Sequence, residues 1–257
     1  MSGSLFITSG SLFIVSKTKF IEPEASLRYC KFLSNRKNGM KRYIVNAQVL
    51  STLRSWAATD CSSTIVIKGA SLRLPAQCQD FGADLIECAK GSNIPLIWAL
   101  EAAPRDDRDR ISSAVDILKY LVFQILKINS NTLPRELNAT TFRSPGTENE
   151  WFLWLTALLS TLPRVIIVVD SALLGERLEG DIAWIDAFSR VFNDLKGRDS
   201  PTIVKVVLLN SEISDIKSDY TTLRLQASKG KVDGRGNIAI NRKKAQRGFR
   251  ATLRGAR

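Results

Sequence analysis

Two apolar runs in this chain end in residues that chemistry can use. Val165-Ile166-Ile167-Val168-Val169 stops at Asp170, and Thr64-Ile65-Val66-Ile67 stops at Lys68-Gly69. An aspartate closing an apolar strand is placed to hold magnesium beside a nucleotide in phosphoryl-transfer folds. A lysine and a glycine after a strand are parts of the loops that cradle phosphates. A third run, Thr202 to Leu209, stops at Asn210-Ser211, polar groups able to sense a terminal phosphate or to cap a turn. The candidate nucleotide-binding residues are Lys68, Gly69, Asp170 and Asn210, with Asp170 the candidate metal ligand.

Several parts of such machinery are missing. A phosphate-binding loop needs G-x-x-x-x-G-K-[ST], so that backbone N–H groups close on the phosphates, lysine adds charge and a hydroxyl holds magnesium. Counting from Gly69, the second glycine, the lysine and the hydroxyl positions hold Leu74, Pro75 and Ala76. Pro75 also removes a backbone donor. After Asp170, Ser171-Ala172-Leu173-Leu174-Gly175 supplies no second acid to polarise an attacking water. The chain contains no histidine, which excludes Ser-His-Asp and Cys-His nucleophile pairs and imidazole zinc sites. No catalytic residue is assigned, and no cofactor is expected unless nucleotide binding survives, in which case it is ATP or GTP with magnesium.

The elements that must carry these residues alternate. From position 64 short apolar strands (64–67, 94–100, 165–170 and 202–209) are separated by helical stretches at 80–90, 113–128, 148–162 and 182–195. Ser112 or Ser113 caps the second of these helices. Four apolar strands separated by helices imply an α/β fold: a mostly parallel, doubly wound sheet with helices on both faces. Such sheets bind ligands at the carboxyl ends of their strands. Upstream, Pro23 opens one helix and Asn46 precedes a second. Trp151 to Val169 has the length of a membrane span, but Pro163-Arg164 divides it into a helix and a β-branched strand, so no membrane partner is expected. Trp98, Trp151, Trp154 and Trp184 lie on apolar faces and are expected in the core.

The order of these features resembles fungal NACHT-type (STAND) signal-transduction NTPases. The likeness rests on Ile94-Pro95-Leu96-Ile97-Trp98-Ala99-Leu100, on the charged Arg105 to Arg110 that follows, on the helix Ser113 to Leu126 with its Gln124, and on Leu162-Pro163-Arg164 before the strand ending at Asp170. The resemblance implies a P-loop NTPase type of sheet over about 64–211, with Asp170 in the Walker B position. It also implies a nucleotide switch whose Walker A positions are unfilled and whose second acid cluster is replaced by Ser171 to Gly175.

Charge is partitioned along the chain. The formal net charge is +12, but Gln226 to Arg257 holds ten of the basic residues against Asp233 alone, leaving a body close to neutral. The organisation read from the sequence is an N-terminal extension (1–20, with Gly-Ser-Leu-Phe-Ile repeated), a helical region (21–60), the NACHT-like α/β domain (61–215) and a disordered basic tail (226–257). Arg242, Lys243, Lys244, Arg247 and Arg250 are the candidate polyanion contacts, and they also suit a nuclear address. Nucleic-acid binding is expected through the tail only. Cys30, Cys61, Cys78 and Cys88 form no C-x-x-C pair and read as buried free thiols in a reducing compartment. With a poor secretory signal at its start, the chain is expected in the cytoplasm. The function expected is a non-catalytic NACHT-like module engaging protein partners in signalling, or a remnant of one. An active NTPase with a non-standard site and a nucleic-acid binder acting through the tail are the rivals.

Overall fold

The computed structural model describes residues 22–36, 43–44, 47–69, 75–100, 113–129, 147–170, 184–209 and 221–227. In chain order these form α1 (Pro23–Arg36), β1 (Tyr43–Ile44), α2 (Ala47–Ala58), β2 (Ser63–Lys68), α3 (Pro75–Ala89), β3 (Leu96–Ala99) and α4 (Ala114–Ile128). They continue with α5 (Glu148–Leu159), β4 (Arg164–Asp170), α6 (Trp184–Gly197), β5 (Ile203–Leu209), β6 (Thr221–Arg224) and β7 (Gln226–Ala227).

Five strands form one parallel sheet in the order β3-β4-β5-β2-β6, and β1 pairs with β7 in a separate antiparallel ribbon. The four apolar strands are those legible in the sequence. The fifth, β6, was not. Its Thr-Thr-Leu-Arg sequence buries only Leu223 and sits at the sheet edge, so it lacks the apolar run that marks a central strand. The sheet therefore extends past residue 215.

Side-chain alternation sends each strand into two cores. Val66, Ile97, Val165, Ile167, Val204 and Val206 face α4, α5 and α6. Ile65, Ile67, Trp98, Ile166, Val168 and Leu209 face the other way, sharing a core with Leu27 of α1, Leu53 and Trp56 of α2, and Ile86 of α3. Helices thus cover both faces, as a sheet of such apolar strands requires.

Local chemistry fixes the helix starts. Ser113 caps α4, its side chain accepting from the Asp116 N–H, and Thr147 with Glu150 forms a capping box on α5. α3 begins at Pro75, five residues before the start expected from its apolar spacing. Proline suits a first helical turn, where its missing N–H would have no intrahelical partner. Trp151 to Val169 resolves into α5, a turn and β4, and no described helix is long and apolar enough to cross a membrane. Trp98, Trp151 and Trp184 are buried and Trp154 packs at the rim of the core. Cys30, Cys78 and Cys88 are buried, but Cys61 is exposed.

At the outer edge of the sheet, α4 closes what β3 would leave open. The Trp98 N–H donates to Gln124 Oε1 at 3.0 Å, and Gln124 Nε2 donates back to the Trp98 carbonyl at 2.8 Å. A side-chain amide thus makes the pair of bonds another strand would make. Gln124 is buried, in a helix that otherwise presents apolar residues to the sheet.

Candidate functional site

The strand order sets where a ligand could sit. After β2 the chain next joins the sheet at β3, at one edge; after β5 it joins at β6, beyond β2 at the other edge. Neighbouring strands whose continuations lead to opposite edges of the sheet mark a switch in strand order, and ligands bind beyond the carboxyl ends of such strands. Here those strands are β2 and β5. In the two common dinucleotide-binding orders the first strand lies beside the second, whereas β2 and β3 are separated by β4 and β5.

Registers place the candidate residues along this end. Asp170 lies level with Leu209, which lies level with Ile67, so Asp170 and β2 are two strand spacings apart, roughly 10 Å. Lys68 is the next residue of β2 and is half-buried, in register with Arg224 of β6, while its carbonyl accepts from the Leu225 N–H at 2.9 Å. Gly69 follows it, also half-buried. Asp170 has no exposed surface. Asn210 lies outside the described residues, as do Arg242, Lys243, Lys244, Arg247 and Arg250 of the tail and the Arg105 to Arg110 run.

Alternation then separates the two charged candidates. Asp170 follows Ile166 and Val168 onto the face covered by α3, while Lys68 follows Val66 onto the face covered by α4 to α6. The lysine and the aspartate are at one end of the sheet but on opposite sides of it. On the Asp170 side, α3 presses close to β5. A Cβ added at Gly82 would collide with the Leu209 side chain. The Cys78 thiol lies 3.7 Å from the Ile67 carbonyl, fixing the start of α3 over the end of β2. Pro75, Ala76 and Gln77 fill the first turn, where a phosphate-binding helix carries its lysine and hydroxyl. Among the described residues no group of three or more His, Cys, Asp or Glu side chains could hold a metal ion.

A second polar cluster, which motif reading missed, lies at the opposite, amino-terminal end. Lys205 of β5 is 1 % exposed, and its Nζ donates to Thr59 Oγ1 at 2.6 Å and Ser63 Oγ at 3.0 Å, 5.5 Å from the centre of the Trp56 ring. Beside it, Arg164 Nη2 donates to the carbonyls of Ala57 and Thr59, both at 3.1 Å, and reaches Asp60 at 3.6 Å. Burial, opposed in part by Cys61 and Asp60 and reinforced by Arg164, lowers the Lys205 pKa to about 8. The available signal was one lysine inside a seven-residue strand of otherwise apolar residues, since a buried cation must find partners. This cluster ties α2 to the strand starts, and its donors are already engaged with the protein.

No family model, no curated protein and no solved structure matches the chain. The function therefore rests on the geometry.

Proposed function

We propose that this chain is a nucleotide-switch type of α/β domain that has lost its grip on phosphate and acts by engaging protein partners, as a non-catalytic NACHT-like module of a signalling protein or a remnant of one. The observation that carries this reading is the separation of Lys68 and Asp170 onto opposite faces of the sheet. A phosphate site needs the cation and the metal-holding carboxylate to converge on one ligand. The first turn of α3 adds to the case, because Pro75 stands where the loop chemistry calls for lysine. The five-stranded parallel sheet is compatible with a P-loop type of doubly wound fold.

Calorimetric titration of the full chain with Mg-ATP and with Mg-GTP tests it. The expected result is no saturable heat at micromolar to low-millimolar nucleotide. Micromolar binding that Asp170→Ala abolishes would overturn the proposal in favour of the rival, an active NTPase with a non-standard site centred on Lys68, Asp170 and Asn210, for which phosphate release is then the next measurement. What favours that rival is the burial of Asp170 beneath α3, at the end of the sheet where ligands bind.

Nucleic-acid binding belongs to the tail in this reading, since ten of the chain's cations fall in its last 32 residues. Phosphate-driven binding weakens steeply with salt and reads little sequence. Mobility shifts are expected for the full chain at low salt and to vanish for residues 1–225. Salt-resistant shifts by the shortened chain would place a nucleic-acid site in the body.

A further inference from the structure

We infer that α1 is a releasable clasp: it undocks as a unit from α3, β3 and α4 while the sheet and its other helices stay folded. The helix buries little apolar surface. Its buried apolar side chains are Pro23, Leu27 and Cys30, and the other buried positions, Ser26 and Ser34, are small and polar, while Phe32 on the outer side is 57 % exposed. α4, by contrast, buries Ile117, Leu118, Leu121, Val122 and Ile125.

Charge holds α1 instead. Glu22 pairs with Lys127 of α4 at 2.9 Å, Glu24 with Lys90, just beyond α3, at 2.5 Å, and Lys31 with Glu87 of α3 at 2.9 Å. All three pairs join α1 or the residue before it to another element, and each includes a partner more than a third exposed. Two polar ties reach into the core: the Trp98 indole N–H donates to the Pro23 carbonyl at 3.1 Å, and Ser26 meets the buried Tyr120 hydroxyl of α4. Near the other end of the helix, Lys31, Ser34 and Asn35 face Asp80, Ala83 and Asp84 across a polar gap of about 180 Å³, so packing there is incomplete. Exposed ion pairs are individually weak and salt-sensitive, and local opening favours elements with few buried apolar contacts. Both conditions meet in α1.

Three thiols allow undocking to be told from unfolding. Cys30 rides on α1, whereas Cys78 and Cys88 lie on α3, and all three are buried. The full-length Cys61→Ser variant, freed of its exposed thiol, is treated with an aromatic disulfide reagent and labelling is followed site by site. Weakening three exposed pairs, at a factor of about two each, should speed Cys30 labelling about eightfold between 50 mM and 1 M NaCl. Cys78 and Cys88 should stay protected. Glu24→Lys should speed Cys30 at low salt, and adding Lys90→Glu should slow it again, because the reversed pair restores the attraction. The inference is overturned if the three thiols react together at one salt-independent rate, or if Cys30 stays as protected as Cys78 throughout. The salt series alone decides it should a charge variant fail to fold.

Discussion

The two ends of the sheet make an instructive contrast. At the carboxyl end, where this kind of fold binds ligands, the charged side chains diverge: Lys68 goes to one face and Asp170 to the other, and a proline opens the helix that covers the Asp170 face. At the amino end, where no motif pointed, Lys205, Arg164, Thr59, Ser63 and Trp56 converge within hydrogen-bonding or ring-contact distance. Convergence of polar groups is thus no sign of chemistry by itself. A buried cation gathers oxygens because leaving it bare would cost several kcal/mol, whatever the domain does.

Substitutions at the two ends sharpen the contrast. The largest effect is expected for Lys205→Ala, which leaves a cavity beneath Trp56 and strips two hydroxyls of their donor; urea unfolding should show a loss of about 3 kcal/mol. Its counterpart Lys68→Ala, at a half-buried strand end, should stay under about 1 kcal/mol. A reversal of that order would mean that the carboxyl end, not the amino end, is the structurally committed one.

The pH dependence of stability comes next in size. The folded pKa of Lys205 is about 8, against 10.5 for the free side chain. Between those values the unfolded chain keeps a proton that the folded chain has released, so stability rises with pH, by at most about 3 kcal/mol. Tyr120 works the other way. Burial, with smaller contributions from Glu22 and Glu24, holds its phenol well above its usual value of 10.0, outweighing the hydrogen bond with Ser26. Above that value the unfolded chain loses a proton that the folded one keeps, and stability falls. Thermal unfolding from pH 7 to 11 should therefore trace a rise and then a decline. Lys205→Met should remove the rise and Tyr120→Phe the decline; an unchanged profile in both would refute the assignment.

Arg164→Ala should cost about 2 kcal/mol, having lost two carbonyl acceptors and a weak contact with Asp60. Gly82→Ala should cost about 1 kcal/mol at the carboxyl end, because the added methyl must displace Leu209, although alanine itself favours the helix. Should Gly82→Ala stabilise the protein instead, the fit of α3 against β5 is looser than described.

Much of the fold was legible because its strands are apolar on both faces and its helices are separated by clear punctuation. β4 and β5 read almost to the residue. What escaped was whatever depends on neighbours distant in sequence. β6 shows a single inward leucine and is a strand only because β2 lies beside it. The apolar spacing of α3 through Phe81, Leu85, Ile86 and Ala89 marks a start near Asp80, whereas the helix begins at Pro75, with Gln77 and Cys78 buried in its first turns. The candidate site was legible as far as its residue types went. Which face each residue would take follows from strand alternation, but that means little until the helices covering each face are known.

Gln124 carries a consequence for how the protein behaves in a crowded solution. A parallel sheet whose outermost member is Leu-Ile-Trp-Ala offers an adhesive border, the kind along which separate molecules stack into fibrils. One amide occupies the donor and the acceptor at Trp98, so a foreign strand arriving there meets a register already taken. Replacing that amide with leucine would preserve the oiliness of the helix and unlock the border. The first symptom would then be loss of solubility at concentrations where the native chain stays monodisperse, rather than loss of any binding function.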